Sequence, residues 1–100
     1  YNKLQGFGST DNILNLSSLK EKVKSFNWNV YEADGHNIKD LISKSNKLIL
    51  KKNKPNLIIA NTIKGKGISF MENKFESHYQ VLNKKEFFLS LNQVSKNNKR

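Results

Sequence analysis

Residues 56–61, Asn-Leu-Ile-Ile-Ala-Asn, limit the fold more than any other stretch. They form a short, nearly continuous apolar run, the pattern of a parallel strand covered on both faces. Pro55 stands in front of the run, and a proline can precede a strand but not sit in its middle. Two glycines follow in Thr-Ile-Lys-Gly-Lys-Gly-Ile-Ser-Phe, residues 62–70, and mark a loop at the end of that strand.

The preceding sequence alternates in the same sense. Residues 1–10, with two glycines and small polar residues, read as a loop leaving a strand whose body lies upstream. Residues 17–27 read as a helix with Leu19, Val23 and Phe26 on one stripe and Ser17 or Ser18 as its cap. Residues 28–33 read as a strand in which Trp28, Val30 and Glu32 face one way. A turn at Asp34-Gly35-His36 leads to a helix over 37–50, with Ile38, Leu41, Ile42, Leu48 and Ile49 as its buried side. Residues 51–55 break it, 71–82 are irregular, and 83–94 read as a last helix. Asn83 and Glu86 have the spacing of a capping box. Phe87 or Phe88, with Leu91 and Val94, forms its stripe, and a basic tail follows. Strands alternating with helices predict an α/β domain, a partial parallel sheet with flanking helices.

At 100 residues the chain has room for one core and not two. Its hydrophobic content of 36 % is low and its net charge is +10, which together suggest that a missing part supplies some of the core. No cysteine is present, so disulfides, zinc–cysteine sites and iron–sulfur clusters are excluded, and a reducing cytoplasm is compatible. No apolar run reaches membrane-spanning length. Of 18 basic residues only Arg100 is arginine, and the lysines are scattered beside many asparagines. A nucleic-acid-binding module more often gathers its charge on one face and mixes in arginine, so that reading stands second.

In open parallel sheets ligands bind beyond the carboxyl ends of the strands, where loops 2–10 and 62–70 are expected. Asn2 could offer an amide oxygen to Mg²⁺, although a plain turn asparagine is the commoner meaning of such a residue. The glycine-lysine stretch 64–67 could wrap a phosphate or be an ordinary glycine loop; it lacks P-loop spacing. His78 could donate to a phosphate or shuttle a proton, or simply pack. His36 has the same ambiguity and is read as a packing residue, on a turn away from the crevice. No nucleophile, base and orienter can be assembled. Glu21, Glu32, Asp34 and Asp40 read as helix-surface and turn residues.

Four stretches, in order, resemble the thiamine-diphosphate-binding domain of transketolases. Residues 1–8, Tyr-Asn-Lys-Leu-Gln-Gly-Phe-Gly, resemble the end of that family's fingerprint. Residues 30–42 resemble the strand, turn and helix that follow, residues 54–73 the next strand and loop, and Ser77-His78-Tyr79 its tryptophan-histidine segment. The resemblance implies thiamine diphosphate and Mg²⁺ as cofactors. It implies Asn2, through its side chain, and Leu4, through its carbonyl, as metal ligands. Asn2, Ile63, Lys64 and His78 would bind the cofactor, and His78 would also be catalytic. The reaction implied is transfer of a two-carbon ketol unit between sugar phosphates, with deoxyxylulose phosphate synthase as an alternative within the superfamily.

Departures accompany the likeness. The Gly-Asp-Gly segment and its metal-binding aspartate are absent. Gly6 stands where many relatives carry an apolar residue, Phe7 replaces a common aspartate, and Ser77 replaces a tryptophan. Gln5-Gly6-Phe7-Gly8-Ser9-Thr10 is closer to the split transketolases, whose N-terminal subunit is a separate chain. The expectation is therefore a C-terminal fragment, with residues 1–82 belonging to the cofactor-binding domain and 83–100 forming a final helix and tail. Such a fragment would be inactive alone. It would need a partner pyrimidine-binding domain or subunit, within a dimer or heterotetramer.

Overall fold

The structure, a computed structural model, describes residues 1–49 and 53–97. Leu50 to Lys52 of the expected helix end and break, residues 98–100 of the expected tail, and the side chains of Ile49 and Asn97 lie outside the described residues. The chain divides into two compact units, Tyr1–Asn2 with Leu14–Thr62 and Lys3–Ile13 with Ile63–Arg100.

The first unit holds α2 (Leu19–Ser25), β3 (Asn29–Asp34), α3 (Ile38–Ile49) and β4 (Asn56–Asn61). β3 and β4 pair in parallel, from Asn29 opposite Asn56 to Asp34 opposite Asn61. A parallel pair needs a crossover, and α3 supplies it. Both α2 and α3 pack on β3, and α3 also reaches β4. This is the parallel sheet with flanking helices expected from the sequence. Its buried apolar centre is Ala33 and Ile59.

Tyr1 adds to the sheet from the other side of β4. Its amino group donates to the Ala60 carbonyl at 2.7 Å, and its carbonyl accepts from the Thr62 N–H at 3.0 Å. One residue bonded to the two that flank Asn61 is the parallel ladder pattern. Tyr1 thus lies alongside β4, though it is not assigned to a strand.

Other expectations need correction. Ser18 precedes α2 in the left-handed region, φ 54° and ψ 38°, and makes no side-chain cap bond. Capping requires an extended backbone at that position. On α3, Leu41 and Leu48 are half-buried, but Ile38 and Ile42 are 72 % and 54 % exposed. A sheet two strands wide covers only part of the helix's apolar stripe. Trp28, just before β3, and Glu32 are exposed and Val30 is half-buried, while the buried residue of β3 is Ala33.

The second unit begins with an antiparallel hairpin, β1 (Leu4–Gln5) and β2 (Gly8–Ser9), turned by Gly6 and Phe7. A short helix, α1 (Thr10–Ile13), follows, and only its Thr10 falls in the stretch read as a loop. Thr10 is buried and its N–H donates to the Lys3 carbonyl at 2.9 Å. A 3₁₀ turn covers Phe75–His78, and α4 runs over Lys84–Asn97. The capping box forms as read. The Glu86 N–H donates to Asn83 Oδ1 at 3.0 Å, and the Asn83 N–H donates to Glu86 Oε2 at 2.9 Å. The apolar stripe of α4 is largely uncovered: Phe87, Phe88, Leu91 and Val94 are 41–54 % exposed. Among the described residues, no helix is long and apolar enough to cross a membrane.

Candidate functional site

In the first unit the carboxyl ends of β3 and β4 lie side by side. The Gly35 N–H donates to the Asn61 carbonyl at 2.8 Å. A Cβ on Gly35 would stand 2.5 Å from Thr62 Cγ2 and 3.0 Å from the Asn61 oxygen, so only glycine lets the two strand exits meet. This corrects the reading of His36. Parallel strands end on the same side, so the turn after β3 sits beside the exit of β4, not away from it. The carboxylates here serve the backbone. Asp34 Oδ1 accepts from the His36 N–H at 2.9 Å, and Asp40 Oδ2 accepts from the Asp34 N–H at 2.9 Å. Glu32 and Glu21 pair with Lys20 and Lys24 at 3.0 and 2.9 Å. The Lys24 hydrogen bond lowers the Glu21 pKa. These acids thus have the turn and surface roles read for them. Asn2, half-buried, follows Tyr1 at this same end of the sheet.

In the second unit, loop 63–74 is folded on itself. The Lys66 N–H bonds the Ile63 carbonyl, the Ile68 N–H that of Gly65, and the Asn73 N–H that of Lys64, at 3.0–3.2 Å. Glu72 Oε1 accepts from the Gly67 N–H at 3.1 Å and lies 3.6 Å from Lys66 Nζ. Gly65 and Gly67 take φ of 74° and 98°, a region that side chains disfavour. The N–H groups of residues 66–68 are therefore used within the loop, which does not present them as a phosphate cradle. What the loop offers is a side chain. Lys64 is half-buried and, among the described residues, has no carboxylate partner, whereas Lys66 has Glu72. From α4, Gln93 Oε1 accepts from the Ser69 N–H at 2.7 Å and Gln93 Nε2 donates to Ser69 Oγ at 3.0 Å, which fixes the far side of the loop.

His78 ends the 3₁₀ turn and is exposed. Its ring meets that of Tyr79 edge-on, with centroids 5.1 Å apart and planes at 76°. Both lie against Gly6: a Cβ there would stand 3.7 Å from His78 Cδ2 and would overlap the Tyr79 hydroxyl. The hairpin that carries Leu4 is thereby brought to His78, in the unit that also holds Ile63 and Lys64. Asn2 belongs to the other unit. Sequence reasoning misses Tyr79 and Gln93. Tyr79 is visible there only as the neighbour of His78, and nothing in the sequence signals that Gln93 reaches Ser69.

The chemistry of the implied metal can be checked against these donors. Among the described residues no three His, Cys, Asp or Glu side chains gather as a metal cluster. An amide oxygen from Asn2 and a carbonyl from Leu4 are hard neutral donors. Each is of a kind that suits Mg²⁺.

The family model described as transketolase, thiamine diphosphate binding domain, matches residues 2–97. The 6-deoxy-6-sulfo-D-fructose transketolase subunit SqwG of a Clostridium species is 43 % identical over 82 residues, covering 82 % of this chain and 30 % of that protein. One of the apulose-4-phosphate transketolase subunits of Phocaeicola vulgatus is 32 % identical over 94 residues, covering 94 % of this chain and 34 % of its own length. The chain thus spans about a third of the length of these curated relatives. Among solved structures, transketolase from Campylobacter jejuni superposes with a TM-score of 0.78 at 26 % identity, over 94 % of this chain and 15 % of that one.

Proposed function

The chain belongs to the family of transketolase thiamine-diphosphate-binding domains, and on that premise we propose that it forms the C-terminal part of such a domain in an enzyme that moves a two-carbon ketol unit between sugar phosphates. The match across residues 2–97 carries the reading, because it spans Asn2, Leu4, Ile63, Lys64 and His78 together. Neither the deoxyxylulose phosphate synthase alternative nor a nucleic-acid-binding module is favoured, since the relatives are named as transketolases.

In this proposal the Asn2 amide oxygen and the Leu4 carbonyl are each of the donor type that would hold Mg²⁺ beside a diphosphate. When bound, thiamine diphosphate supplies the electron sink for breaking the bond beside a ketose carbonyl. Lys64 would supply one positive charge to the diphosphate. The Lys66–Glu72 pair holds the loop, so the two lysines divide the work. Ile63 would give apolar contact to the cofactor's ring. His78, at the end of its turn, donates to or takes a proton from the reacting oxygen. The relatives are named as subunits, which supports a second chain or domain that completes the site on the pyrimidine side. The isolated 100-residue piece then shows no ketol transfer.

The test is thiamine diphosphate binding by the full-length protein with its partner, followed calorimetrically in Mg²⁺. Lys64→Ala is expected to weaken affinity at least tenfold, the worth of about 1.5 kcal/mol in a charge-assisted hydrogen bond. Lys66→Ala should change it far less. Equal effects of the two substitutions, or no binding by the wild type, would reject the assignment.

A further inference from the structure

We propose that Tyr79 is a positioning residue for His78, and that position 6 is glycine in order to seat it. The inference rests on the reading of His78 as the residue that faces the reacting groups.

Gly6 differs from Gly8, Gly65 and Gly67 in that its φ is not in the left-handed region. Conformational freedom is therefore not what the hairpin turn asks of it. It asks for room. A methyl group there would overlap the Tyr79 hydroxyl, lie 3.3 Å from Tyr79 Cζ and 3.7 Å from His78 Cδ2. The phenol ring occupies the volume that a side chain at position 6 would take.

Tyr79 is 63 % exposed, so general burial does not fix it. Three local contacts do. Its N–H donates to the Glu76 carbonyl at 3.0 Å, its hydroxyl end rests on Gly6, and its ring meets the imidazole at 76°. An edge-to-face aromatic pair has a preferred geometry because the ring edge is positive and the face negative. The plane of an exposed imidazole is thereby set by a neighbour that is itself stopped by the hairpin turn. A catalytic group held in one orientation avoids reorganisation at the moment of reaction.

The experiment uses the full-length protein with its partner, labelled in its histidine rings, with the His78 signal identified by its loss in His78→Gln. Tyr79→Leu removes the ring without crowding the turn and should move the His78 signal toward that of an unrestrained histidine. Gly6→Ala should move it as well, by pushing the ring off its seat. Tyr79→Phe should leave it near the wild-type position, and adding Tyr79→Phe to Gly6→Ala should return it there, because the overlapping oxygen is gone. In both displaced variants kcat should fall, by up to about 100-fold for a displacement of an ångström, with a much smaller change in KM. A His78 signal unmoved by Tyr79→Leu, or a Gly6→Ala effect that Tyr79→Phe does not relieve, overturns the proposal. A signal that moves as expected with ketol transfer untouched upholds the positioning and rejects the catalytic reading of His78.

Discussion

Replacing Asn83 by alanine tests whether α4 is held from its first turn. The substitution deletes the 3.0 Å bond from the Glu86 N–H to Asn83 Oδ1 and leaves residue 83 able to donate its own N–H to Glu86. Loss of one N-cap acceptor costs about 1 kcal/mol, within a range of roughly 0.5–2. Packing at this end is partial, with Phe87 and Phe88 49 % and 54 % exposed. One kilocalorie is about a fivefold change in an opening equilibrium. Hydrogen exchange in the first turn of α4 should therefore quicken about fivefold in the variant. The Ser69 amide, which bonds Gln93 two turns further along, should keep its protection because fraying is local. Glu86→Ala should not add its full effect to that of Asn83→Ala, since the two side chains act as one reciprocal unit. Unchanged exchange at residues 84–87, or full additivity of the two substitutions, would refute the reasoning.

Gly35→Ala forces a methyl group to 2.5 Å from Thr62 Cγ2, an overpacking expected to cost about 1–3 kcal/mol in a denaturant melt. Thr62→Ser, which removes that carbon, should recover part of the loss. Gln93→Ala removes both bonds to Ser69, and proteolysis or exchange should find loop 63–74 more open while β3 and β4 stay protected. The lowered pKa of Glu21, caused first by its Lys24 hydrogen bond, means that this pair stabilises fully above the usual carboxylate range. The contribution is lost as pH falls through the lowered value. An acid titration of Lys24→Ala should show a slightly earlier onset of unfolding, and the small size follows from the pair's exposure.

Much of the fold is legible in the sequence because its signals are local. The apolar run at 56–61 and the proline before it define β4, and the Asn83–Glu86 spacing defines the cap down to its two bonds. The loop at 62–70 is legible as a loop, though not the internal use of its N–H groups. What is not legible depends on cover. The periodicity of α3 gives a stripe, but a two-stranded sheet decides that Leu41 is shielded and Ile38 is not. Ser18 has the right residue type for a cap, and its backbone angle cancels it. The meeting of Gly6 with His78 and Tyr79 joins the two ends of one unit, and no pattern within either stretch records it. His36 is misplaced when its turn is treated in isolation; the parallel sense of β3 and β4 fixes which end it occupies.

Loop 63–74 has a kinetic consequence. The hydrogen bonds within it close over ten residues or fewer, from Ile63 to Lys74, whereas the β3–β4 ladder joins residues 27 apart. Closing a loop of about ten residues takes on the order of 10–100 ns, and pairing across a longer separation is slower because more chain entropy is lost first. The segment that presents Lys64 can thus reach its shape during folding before the sheet that leads into it has zipped.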